Sequence, residues 1–126
     1  MGARFSMQSN DNERDAGYVW DMLDSARTVQ EFMNGVRFEE FLHDKKLQLA
    51  IERSAEIMGE ASKRMSDEFK QAHPEIPWNR IISQRNVIAH EYDDVKQERM
   101  WLVAIVHIPA LIPLLEAILP PPPRSK

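Results

Sequence analysis

Apolar residues recur along this chain at intervals of three and four and nowhere alternate over the length of a strand, which predicts an all-α protein. Tyr18, Met22, Ala26, Val29 and Met33 form one stripe, widened by Leu23 and Phe32, and predict a first helix from about Arg14 to Met33. Asn34-Gly35 is its stop, since glycine tolerates the left-handed cap. A second stretch runs from near Phe38 to about Gln71, with Leu47, Ala50, Ile51, Ser54, Ile57, Met58, Ala61, Met65 and Phe69 on one face. Asp44 marks a bend or restart within it, because its carboxylate is placed to cap the following turn. Residues 72–77 contain two prolines and read as a connector. A third helix is predicted from Trp78 to His90, with Ile81, Ile82, Val87 and Ile88 mostly inward, and Tyr92-Asp93-Asp94 as a short joint. A fourth runs from about Val95 to Leu119 and bends near Pro109, whose missing N–H interrupts the ladder. This divides the chain into a disordered or tag-like segment over 1–13, one helical domain over 14–119, and a proline-rich disordered tail over 120–126.

Composition narrows the class without naming an activity. A chain of 126 residues suits one domain, and 43% apolar with 29% charged residues is an ordinary globular balance. With no cysteine there is no disulfide, thiolate metal site or cysteine nucleophile, which is compatible with a reducing cytoplasm. No secretory signal is legible at the start of the chain, so a cytoplasmic location is expected. A net charge of −4 argues against broad, nonspecific nucleic-acid binding but leaves room for a local cationic cleft. Trp101 to Leu119 is nearly apolar enough to span a bilayer. His107, Glu116, Pro109 and Pro113 oppose that reading, and no membrane partner is expected. A helix apolar nearly all round also fits burial on two sides, by its own core and by a partner subunit.

The chemistry concentrates between Arg85 and Tyr92. Arginine offers a planar, permanently charged fork for phosphate oxygens. Histidine exchanges a proton near neutral pH, so His90 is a candidate acid or base. Tyr92 can hydrogen-bond a phosphate, and Asn86 adds an amide with donor and acceptor. At about 100° per residue, Arg85 and His90 lie roughly 140° apart on one helix, so a compact pocket from a single copy is awkward. Two copies facing each other across a twofold axis would bring both pairs into one cleft. Taken by itself, such a trio near a helix end more often serves as surface and cap residues.

Other candidates favour plainer roles. His43, His73 and His107 lack metal-ligand spacing, with His43 expected in solvent, His73 in the connector and His107 in the core or an interface. Glu91, Asp93 and Asp94 form a loop string of the kind usually solvated rather than metal-bound. Glu56 and Glu60 are placed to pair with Arg53, Lys63 or Arg64, or alternatively to orient His90. No cofactor site is legible.

The segment Arg85-Asn86, four intervening residues counted from Arg85 to His90, and then Tyr92 two further on resembles the signature of the HepT family of minimal HEPN ribonucleases. The likeness extends through Tyr18 to Asp24, Phe38 to Leu42 with Asp44, Glu56 to Ala61, Pro74 to Trp78, Ile108 to Ile112 and Leu115 to Ile118. It covers about Tyr18 to Leu119. The resemblance implies an up-and-down bundle of four to five helices, homodimeric, with the motifs in a cleft at the interface. It implies a toxin of a toxin–antitoxin pair that cleaves RNA without metal. In that scheme Arg85 stabilises charge on the phosphorane, His90 acts as base or acid toward the ribose 2′-OH, Asn86 supports the site and Tyr92 contacts phosphate. The implied partner is a nucleotidyltransferase antitoxin that silences the toxin by transferring AMP to Tyr92. An alternative makes the chain a non-catalytic binding partner or substrate of that transferase. One departure is Asp93-Asp94-Val95, where relatives often carry an aromatic or glycine. Those carboxylates oppose RNA unless Arg80, Lys96 or Arg99 offsets them.

Overall fold

The computed structural model describes residues 2–90 and 93–119, with side chains over 12–84, at Asn86, and over 95–119. Among the described residues the elements are α1 (Gly2–Met33), α2 (Phe38–Leu42), α3 (Lys45–Arg64), α4 (Asp67–Ala72), α5 (Trp78–His90), α6 (Asp93–Leu102), a π-helical turn (Val103–His107) and α7 (Ile108–Ala117). The all-α expectation holds. Four long rods carry the fold: α1, α3, α5, and α6 continuing through the π turn into α7. α3 lies against both α1 and α5, and α7 closes on α1. The expected tail over 120–126 lies outside the described residues.

The core is built from the stripes that the periodicity marks. Val19, Met22, Leu23, Ala26, Val29 and Met33 bury one face of α1 against Ile51, Ala55, Met58, Ala61 and Met65 of the following stretch. Each large aliphatic side chain buried this way stabilises by about 1.5–3 kcal/mol. Phe32 departs from the expectation and is largely exposed, because one position off the stripe turns it to the outer edge. α1 also begins at Gly2 rather than near Arg14. Its close is as expected: Gly35 adopts φ +76°, a left-handed conformation that glycine takes without a Cβ penalty.

The long second stretch is three helices, not one. Asp44 is the restart foreseen for it, its Oδ1 accepting from the Leu47 N–H at 3.0 Å. Gln48 of α3 then donates from Nε2 to the Phe41 and Leu42 carbonyls, tying up the end of α2. The second break, at Met65-Ser66, was not expected. Ser66 Oγ accepts from the Phe69 N–H at 3.1 Å and so caps α4. The Asp15 carboxylate in turn accepts from Ser66 N–H at 2.9 Å and Ser66 Oγ–H at 2.6 Å. Asp15 is buried, and this long-range bond pins α1 to the α3–α4 junction.

Near Pro109, where a bend was expected, the helix carries a π turn just before the proline. There the Ile108 N–H reaches back to the Val103 carbonyl. The backbone stays helical through His107 and Ile108, so Pro109 sits inside one continuous rod directly after the π turn, where the regular i→i−4 ladder is already interrupted. The stretch Val95–Ala117 is long and apolar enough to cross a membrane by length and composition alone, and 39% of its most apolar 18-residue window is buried in the bundle. Its inner face carries Met100, Val103, Ala104, Ile108, Leu111 and Leu115. Trp101 packs edge-on to Phe38 and tilted against Phe41, holding α2 to α6.

Candidate functional site

α5 is the element that carries the motif. Its N-terminal end is fixed by Trp78, which is buried and donates from Nε1 to the His73 carbonyl at 3.0 Å. Ile81 enters the core one turn later. The helix continues unbroken to His90, so positions 85, 86 and 90 sit on one rod held at its start by packing. Asn86 is exposed on it. The side chains of Arg85 and His90 lie outside the described residues, as do Tyr92, Glu91 and the side chains of Asp93 and Asp94. The backbone therefore brings the Arg85, Asn86 and His90 positions together on α5. Arg85 and His90 are five positions apart, which keeps the roughly 140° separation read from the sequence.

Of the cations considered as offsets to Asp93 and Asp94, Lys96 is already engaged. Its Nζ lies 3.1 Å from Glu52 Oε1, linking α6 to α3. Arg80 pairs with no carboxylate among the described residues.

The remaining candidates settle into structural roles. His43 is exposed, as expected. His73 ends α4, with its ring 4.6 Å from that of Phe69 and Nδ1 3.4 Å from Glu75 Oε2. His107 lies in the π turn beside Met58, Ile81 and Leu111 around a small cavity, in keeping with a core or interface histidine. Glu56 pairs with Arg53, and Glu60 lies 4.0 Å from Arg64, both within α3. Among the described residues no three His, Cys, Asp or Glu side chains come together as a metal site.

One surface feature was missed by the sequence reading, and a second was anticipated only in outline. A cleft of about 380 Å³ between α1 and α3 is lined by Tyr18, Asp21 and the α3 charges. Partial burial, and secondarily the neighbouring Asp24, raises the Asp21 carboxyl above its ordinary value. The second feature is apolar: Val95, Leu102, Ile105 and Val106 are exposed, with Leu102 and Val106 near half. Spacings of seven and four put Val95, Leu102 and Val106 on one face of the rod that follows the motif. The signal was present in the unbroken hydrophobicity of this segment, read there as burial on two sides.

Comparison with known proteins assigns the family. The family model described as Ribonuclease HepT-like matches residues 22–118. The chain is 39% identical over 94 residues to the protein named "Probable ribonuclease HepT" of Thermococcus cleftensis, covering 75% of this chain and 86% of that one. It is 33% identical over 102 residues to a protein of Methanocaldococcus jannaschii whose name assigns it as an RNase, covering 81% of this chain and 84% of the relative. A similarly named protein of Caldanaerobacter subterraneus subsp. tengcongensis is 34% identical over 102 residues, covering 81% and 91%. No solved structure matches the chain significantly. The motif-bearing helix α5 falls wholly inside the matched region, and the chain belongs to the Ribonuclease HepT-like family.

Proposed function

We propose that this protein is a metal-independent endoribonuclease, the toxin of a toxin–antitoxin pair, working as a homodimer with Arg85 and His90 of both copies in one cleft. The observation that carries the reading is a family match spanning a helix that bears Arg85, Asn86 and His90 at the family's spacing. Two further observations support it. The angular separation of Arg85 and His90 on one helix calls for a second copy. The exposed Val95–Leu102–Val106 stripe follows the motif directly and offers an apolar face for that copy.

In this mechanism His90 takes the proton from a ribose 2′-OH, and the 2′ oxygen attacks the adjacent phosphorus. The bond from phosphorus to the 5′ oxygen breaks as the new one forms, and an imidazolium in the cleft returns a proton to the leaving oxygen. Arg85 holds the charge that builds on the non-bridging oxygens. Asn86 and Tyr92 contact the phosphate or orient its neighbours. Control comes from a nucleotidyltransferase antitoxin that adds AMP to Tyr92, bringing bulk and negative charge to the place where an RNA phosphate must sit.

Cleavage of RNA by the purified protein, compared with Arg85→Ala and His90→Ala, tests the catalytic assignment. Each substitution is expected to lower the rate about 100-fold or more. Variants that cut as fast as the parent would refute it. Control by modification is tested by intact-mass measurement after co-expression with a nucleotidyltransferase encoded beside this chain's gene. Increments of the mass of AMP are expected, and Tyr92→Phe removes them; increments that persist in Tyr92→Phe place the modification elsewhere.

A further inference from the structure

We propose that the groove between α4, the connector and the start of α5 is a track for single-stranded RNA leading to the Arg85–His90 site. The proposal rests on the ribonuclease reading above. The groove is open, about 660 Å³ in volume, and its polar lining is Lys70, Gln71, Asn79 and Arg80 with Asp67 at one side. Two cations and two amides thus face one carboxylate. Lys70 approaches Asp67 only to 4.0 Å, and Arg80 pairs with no carboxylate among the described residues. α5 starts in this groove with no acidic residue in its first turn, so the positive end of the helix adds to the two side chains.

The groove and the motif share a single rod. Asn79, Ser83 and Asn86 are all exposed, and their spacing of four and three sets them in one line along α5. Position 90 falls within about 20° of that line. At 1.5 Å per residue, Arg80 and His90 are separated by roughly 15 Å along the axis, a distance that a few nucleotides bridge. A strand laid along this face meets cations at one end and amide and hydroxyl groups on the way, the donors and acceptors that commonly hold phosphate and sugar. The same lining disfavours a protein ligand. Ile76 and Trp78 are buried, so the only apolar side chains of the lining open to a visiting helix are the two small proline rings of Pro74 and Pro77, with no exposed aromatic or long aliphatic anchor. In a chain of net charge −4, a local cationic groove is also what an RNA strand needs in order to approach.

The test is a K70Q/R80Q double variant of the full chain, with both changes on the groove wall and outside the core. Binding of a fluorescent RNA of about a dozen nucleotides, made uncleavable by 2′-O-methyl groups, is followed by anisotropy between roughly 50 and 200 mM salt. The parent is expected to bind with a clear salt dependence. The variant should bind about tenfold more weakly at low salt, with a log–log salt slope smaller by about 1.4, the loss of two single-strand phosphate contacts. Cleavage of a long RNA should show a raised KM, and cleavage of a dinucleotide should be unchanged. Unaltered affinity and slope overturn the track, as does failure of the parent to bind the probe. Weakened binding of the transferase with unaltered RNA binding also overturns it, in favour of a protein dock. If the probe behaves as stated but the parent cuts no RNA, the ribonuclease reading fails and the track stands.

Discussion

Asp21 shows how a single side chain sets a pH dependence in this molecule. Partial burial first, and Asp24 second, hold its carboxyl above the ordinary value of 3.8. The folded protein therefore keeps this proton to higher pH than the unfolded chain. As pH rises from the unfolded value through the folded one, the unfolded chain loses its proton first, and stability falls. At neutral pH the ionised Asp21 is a small net burden, because the residue is exposed enough for solvent to screen most of the effect. Urea denaturation should find Asp21→Asn more stable than the parent at pH 7, with the difference closing as pH drops below 3.8. A difference of opposite sign, or one independent of pH, would show that the carboxylate has a stabilising partner. The proposed functional residues are legible at this scale as residue types only: Arg85, His90 and Tyr92 have the right chemistry, but no local pattern separates them from an ordinary helix end.

At the scale of elements, the bond between Asp15 and Ser66 links the start of the α1 stripe to the cap of α4. Asp15→Ala removes a buried acceptor and leaves the Ser66 N–H without that partner. The expected cost is about 2–3 kcal/mol, read as a lower midpoint in denaturant at unchanged slope. A loss below about 0.5 kcal/mol would mean that water replaces the carboxylate fully. This contact also explains what the sequence concealed. Ala61, Met65 and Phe69 keep helical spacing straight through the break at Met65-Ser66, so the hydrophobic pattern sees one continuous helix. The local signal was Ser66 followed by Asp67 and Glu68, an N-cap with acidic residues in the first turn. Asp44 and Gly35 were legible because their roles are local: a carboxylate capping the next turn and a glycine in a left-handed stop. The core positions Met22, Ala26, Val29, Ile51 and Met58 were legible for the same reason, since period fixes face. The π turn was not. Pro109 announces an interruption, but whether the helix kinks or widens depends on how Val103, Ile108 and Leu111 pack against the rest.

At the scale of the whole molecule, the proposed active unit is a pair. One copy leaves Val95, Leu102 and Val106 in solvent on the helix that follows the motif. Leu102→Glu with Val106→Glu alters exposed positions, so each chain should fold normally while association is lost. Sedimentation is expected to show monomers, and RNA cleavage should fall with the dimer. A dimer that survives both charges would move the interface to another face. The net charge of −4 is likewise a property of the whole that says little about the cleft, because phosphate responds to the local field. The family is firmly assigned by its match over residues 22–118, and the central claim that remains is chemical: Arg85 and His90 cut RNA without a metal. The most direct measurement is cleavage of RNA by the purified protein in excess EDTA, with the new ends identified and Arg85→Ala and His90→Ala run alongside. Undiminished cutting by the parent is expected, with 2′,3′-cyclic phosphate and 5′-hydroxyl ends, and near-complete loss in both variants. Cutting that disappears on chelation, or that survives both substitutions, would contradict that claim.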